Sequence, residues 1–138
     1  MSVVENITAY RRHKWEKIFI WLISFILAGF FLVSAAGWFF ATYLMISGKL
    51  GPKPVEFYQS LNIFDHFVRT SQVLIVIAAS VLLLLQRRIA LKLYLANLAA
   101  SIVCILFIGK WGITFLIPLP LLVVCAYTYF INRLGYLK

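Results

Sequence analysis

Residues 18–47 form an unbroken run of thirty residues without one charged side chain. As a helix such a run is about 45 Å long, whereas a hydrocarbon core of ~30 Å needs only about 20 residues. The run therefore commits the chain to lipid, and it must tilt or project beyond the bilayer. Composition agrees. Of 138 residues, 64% are apolar and 12% charged, against about a quarter charged in soluble domains. So few polar groups cannot cover a water-facing surface, and the apolar content is too high for disorder.

Three further runs, 67–85, 89–108 and 111–131, are long enough to cross or nearly so. Each is read as a helix, because an isolated strand leaves its backbone groups unsatisfied in lipid. The ten-residue alternation of barrel strands is missing. The expected fold is all-α, a single four-helix transmembrane domain over 1–138 with its helices in an antiparallel bundle. Runs two and three are joined only by Gln86-Arg87-Arg88, and runs three and four by Gly109-Lys110, with Gly109 and Gly112 as helix punctuation. Turns this short force antiparallel neighbours. Residues 48–64 make the one real loop, opened by Gly48, Gly51, Pro52 and Pro54. A short interfacial helix is expected over 55–62, where Phe57, Tyr58 and Leu61 approach helical spacing. Pro118 and Pro120 are expected to kink or loosen the fourth helix.

Orientation follows from the basic residues. Nine of thirteen (Arg11, Arg12, Lys14, Lys17, Arg87, Arg88, Lys92, Arg133, Lys138) fall on the side of the termini, and four (Lys49, Lys53, Arg69, Lys110) on the other. The positive-inside bias then places both termini in the cytoplasm and the 48–64 loop outside. The basic segment Tyr10-Arg11-Arg12-His13-Lys14 before the first run resembles the start of a signal peptide. The run is twice as long as a signal-peptide core and lacks an Ala-x-Ala site, which reads as a retained signal-anchor helix. The net charge of +9 is then topology and attraction to anionic lipids, not a nucleic-acid footprint.

Asp65, Arg69 and Gln72, at spacings of four and three, share one face of the helix opening run two, with His66 beside them. Arg69 falls near the outer headgroup level. It is expected either to hold an anion or a partner's carboxylate, or to form an interfacial pair with Asp65 and snorkel. Asn97 lies about 13 Å from the Arg88 end of its run, near the midplane. There it must hydrogen-bond to a neighbouring helix or mark a polar point on a transport path. Ala96, Ala100 and Cys104 repeat every four residues as a small-residue face, and Ser101 follows Asn97 by four. The first run is rich in aromatic side chains, enough to contact acyl chains or a neighbouring subunit, or to hold a quinone or other lipid.

Metal and haem chemistry fail on geometry, since the two histidines, His13 and His66, fall on opposite sides of the membrane. Cys104 and Cys125 differ in depth by about 12 Å, too far for a disulfide. No Asp or Glu lies inside a run, as a proton-coupled pump would need, and no nucleophile elbow is present. No catalytic role, metal or tightly held cofactor is expected.

The segment Leu82-Leu83-Leu84-Leu85-Gln86-Arg87-Arg88-Ile89-Ala90-Leu91-Lys92-Leu93-Tyr94 resembles a set of small, uncharacterised four-span bacterial inner-membrane proteins. These share a leucine run, a basic pair and an Ala-aromatic start to the third span. The resemblance implies four helices in a bacterial inner membrane and no activity. The functional expectation is a non-catalytic membrane subunit that packs against other integral-membrane subunits and anionic lipids. Two alternatives stand beside it: a small homo-oligomeric transporter or channel lined by Arg69, Gln72 and Asn97, and a quinone- or lipid-binding accessory protein of a redox complex.

Overall fold

The computed structural model describes residues 3–108 and 118–138, and among these every regular element is helical. The order is α1 (Val3–Ile46), α2 (Pro52–Ser60), α3 (Ile63–Leu84), α4 (Ile89–Val103) continuing into a π-helical turn (Cys104–Ile108), and α5 (Pro118–Arg133). By length and composition α1, α3 and α4 with its extension are able to cross a membrane. The described part of α5 is 16 residues, short of a full crossing. Residues 111–117 of the fourth expected span lie outside the described residues, as does the Gly109-Lys110 turn with Gly112.

Helix α1 begins fifteen residues before the apolar run. Residues 3–17 hold no Gly or Pro and are rich in helix formers such as Glu5, Ala9, Arg11, Lys14 and Glu16. An apolar run marks where a helix meets lipid and says nothing of where its hydrogen bonding starts. The helix is also continuous through Ala35-Ala36-Gly37. Its 44 residues extend about 66 Å. Only one line of α1 is buried: Ile20, Ser24, Ala28, Phe31 and Ala35, at spacings of three and four.

Helix α3 starts at Ile63, four residues before the apolar run and inside the expected loop, because Asn62 and Asp65 form a capping box. Asn62 Oδ1 accepts from the Asp65 amide at 2.8 Å, and Asp65 Oδ2 accepts from the Asn62 amide at 3.2 Å. Two N–H groups that the first turn leaves without helical partners are thereby satisfied. The short loop helix forms as expected but runs over Pro52–Ser60, with its prolines in the first turn, where a missing N–H costs nothing. Pro118 and Pro120 are the first and third residues of the described part of α5, and the residues before them, on which the expected kink depends, lie outside the described residues.

The core is built where small residues let helices close up. Ala28, Ala79 and Ala90 are wholly buried beside Phe31, Val76, Leu83, Tyr94, Leu121 and Val124. Close approach matters because lipid tails are as apolar as leucine, so packing rather than water exclusion holds such helices together. Tyr94 is the centre. Its ring lies 5.6 Å from that of Phe31 on α1, and its hydroxyl is 2.9 Å from Ser80 Oγ on α3. Helix α5 is tied to α1 by Tyr127, whose hydroxyl donates to the Ile20 carbonyl at 2.7 Å and meets Ser24 Oγ at 2.8 Å. The phenol has one proton, so Ser24 is the donor in the second bond.

The face of α4 turned inward differs from the expected one. Ala96 is exposed and Ala100 half-buried, while Ala90, Tyr94, Asn97, Ser101 and Cys104 are buried. Hydrogen-bonding side chains occupy the seam, and the alanines beside it turn partly outward.

The chain end folds back onto the turn between α3 and α4. The Lys138 amide donates to the Gln86 carbonyl at 2.8 Å and the Arg88 amide to the Lys138 carbonyl at 2.9 Å. Arg88 Nε donates to the Leu137 carbonyl at 3.0 Å. Leu137 is buried, and Tyr136 stacks on His13 of α1 with ring centroids 6.3 Å apart. Partial burial at this contact, then the charge and hydrogen bond of the Glu16 carboxylate, push the Tyr136 phenol above its usual range.

Candidate functional site

Near the α2 end of the molecule, α1, α3 and α4 enclose a layer of polar side chains. Asp65, Arg69 and Gln72 are buried on one face of α3, with Arg69 only 6% exposed. Spacings of four and three put them in one row, and that row is turned toward the other helices. The expected snorkelling arginine at the rim is instead an internal one. Its guanidinium carbon sits 5.5 Å from the centre of the Trp38 ring on α1, within range of a cation–π contact.

One turn deeper, Gln72 Nε2 donates to Ser101 Oγ of α4 at 3.4 Å. Asn97 precedes Ser101 by one turn and is 1% exposed. Its Oδ1 accepts no hydrogen bond among the described residues, and a buried carbonyl left so is costly. His66 departs from the group. It is half-buried, and its ring lies 4.7 Å from that of Tyr58 on α2, so it braces the loop helix. Among the predicted site residues, then, Asp65, Arg69, Gln72 and Asn97 face inward from α3 and α4, and His66 does not join them.

Sequence reasoning missed Trp38 and Thr42. Both lie on α1, one turn apart, and Thr42 Oγ1 is buried without a hydrogen-bond partner among the described residues. Arg69 Nε and Nη1 are in the same condition. A threonine in a helix ordinarily returns its hydroxyl to the carbonyl four residues back, and Thr42 does not. The spacing Trp38–Thr42 was a usable signal, but thirty apolar residues with aromatics on every side gave no way to choose the face.

Among the described residues no three His, Cys, Asp or Glu side chains converge. Cys104 and Cys125 are separate buried thiols. The layer offers amide and hydroxyl groups, the Asp65 carboxylate and the Arg69 guanidinium. Comparison with protein families, curated proteins and solved structures finds no match for this chain.

Proposed function

We propose that the chain is a non-catalytic integral-membrane subunit of a bacterial inner membrane. It spans four times as an antiparallel bundle with both termini cytoplasmic, and it docks other integral-membrane proteins through α1. The single observation that carries this reading is the N-terminal arm of α1. Every residue from Val3 to Phe19 is exposed, including Val3, Val4, Ile7, Tyr10 and Trp15, four of which are more than two-thirds exposed. At 100° per residue these five fall within about 140° of arc, a stripe of apolar side chains with Arg11 and Lys14 set among them and exposed among the described residues.

The arm continues the helical ladder of the apolar part of α1, and covering its exposed apolar side chains with a partner adds stability by removing them from water. Arg11, Arg12, Lys14 and Lys17 on the same arm suit the anionic surface at which such a docking would occur. The contacts Gln72–Ser101 and Ser80–Tyr94 between α3 and α4, with Ser24–Tyr127 and His13–Tyr136 between α1 and the C-terminal part, support the antiparallel arrangement. The transporter alternative draws less support. Gln72, Asn97 and Ser101 face the chain's own interior, away from any surface on which copies would meet.

The test is mild extraction of the tagged full-length chain and mass spectrometry of what it retains. At least one unrelated membrane protein is expected with the wild type. The Val4→Asp/Ile7→Asp variant, folded by the same criteria, is expected to lose it. A wild-type chain that runs alone, with nothing lost on solubilisation, removes this reading.

A further inference from the structure

We infer that Arg69 is the centre of a phosphate-binding site between α1 and α3, filled by the headgroup of a phospholipid or by free phosphate. The argument begins with charge. The chain has four acidic side chains, Glu5, Glu16, Glu56 and Asp65. Glu5 and Glu16 belong to the N-terminal arm, and Glu56 is exposed on α2. Asp65 is engaged at the start of its own helix, where Oδ2 accepts from the Asn62 amide. Residues 109–117 contain no carboxylate and add Lys110. Buried Arg69 thus has no carboxylate of this chain to take up its Nε and Nη1, which are without acceptors among the described residues.

The Asp65 carboxylate one turn away keeps its charge but takes up neither of these N–H groups, and buried donors left without acceptors are unfavourable. The Trp38 ring stabilises one face of the guanidinium but accepts none of its in-plane N–H groups. Those N–H groups form a planar fork suited to two oxygens of one oxyanion. Thr42 Oγ1, one turn beyond Trp38 on the same helix, adds a donor that is also unsatisfied. Donors without acceptors on two facing helices favour an anion over a cation or neutral solute.

Depth favours phosphate. Arg69 lies six residues into α3, about 9 Å from its start. Side chains of a helix lean toward its N-terminus, which carries the guanidinium closer to the level where headgroup phosphates lie. The Trp38–Thr42 side of the site is half-buried, and Phe39, Phe40 and Tyr43 beside it are exposed, so an acyl chain can lie along α1 while its headgroup reaches inward. This inference uses the membrane setting but not the docking role of the arm.

The test is thermal unfolding of the delipidated full-length chain in neutral detergent at constant ionic strength. Three probes are added separately: inorganic phosphate, dihexanoyl phosphatidate, and dihexanoyl glycerol, which lacks the phosphate. A rise of several degrees in Tm is expected with a phosphate-bearing probe and none with the glycerol. A response to both phosphate probes identifies a free oxyanion as sufficient, and a response to phosphatidate alone identifies the lipid headgroup. Arg69→Gln is expected to weaken the apparent affinity at least about tenfold, and Arg69→Lys less, because the charge stays and the fork is lost. No shift of the wild type with either phosphate probe, or an equal shift in Arg69→Gln, overturns the inference.

Discussion

The hydroxyl of Tyr94 and that of Ser80 meet at 2.9 Å in the middle of the α3–α4 seam, both wholly buried. Neither has water within reach, so each is the other's means of staying inside. Tyr94→Phe and Ser80→Ala should each destabilise the protein by about 1 kcal/mol, in the range of interhelical hydrogen bonds in membrane proteins. The double variant should cost little more than either alone. Tyr94→Ala also empties a large volume beside Phe31 and should cost about 3–5 kcal/mol. Denaturation in mixed detergent micelles measures all four.

Asn62→Ala removes the acceptor for the Asp65 amide and should cost about 1 kcal/mol. The loss is local. Amide hydrogen exchange should rise over the first turn of α3 and remain unchanged near Ser80.

The Tyr136 phenol titrates above its usual value of 10.0 in the folded protein because of partial burial and Glu16. A folded-state pKa raised in this way adds stability that is complete below pH 10 and lost as pH climbs through the higher folded value. Ultraviolet absorbance of a Tyr136→Phe variant should therefore lack one phenolate signal that the wild type develops above pH 10. The stack on His13 should survive the change.

Removing residues 136–138 takes away the acceptor for the Arg88 amide and the donor to Gln86. Exchange at Arg88 should speed up by more than tenfold, while amides in the centre of α4 stay protected. Protection at Arg88 unaltered by the truncation would contradict the pairing.

Cysteine placed at Lys14 and at Lys53 should react with an impermeant thiol reagent from opposite sides of the membrane. Both positions are exposed, and the native cysteines are buried. Labelling of both from one side contradicts four crossings with cytoplasmic ends.

Where the long apolar helices lie was legible in the sequence because it depends on one property, the length of a nearly charge-free run. Residues 67–85 and 89–108 fall close to α3 and to α4 with its π-helical turn for that reason. The starts were not legible. Asn62 and Asp65 act through a capping box that hydropathy does not register, and the arm of α1 is a helix of polar composition. The polar row Asp65–Arg69–Gln72 could be placed on one face from spacing alone. Its inward direction could not, since that depends on which side of α3 meets α1 and α4, and Trp38 is decisive there. The pairing of Lys138 with Gln86 and Arg88 left no trace in the pattern, because backbone groups make it and side-chain identity hardly enters.

Helix α1 holds its hydrogen-bonded ladder from Val3 to Ile46 with no proline and no break at Gly29 or Gly37. A rod of this kind has no joint at which one half can swivel while the other rests. From His13 to Trp38 is about 38 Å along its axis, so the ring stacked on Tyr136 and the indole against the Arg69 guanidinium are carried by one uninterrupted helix.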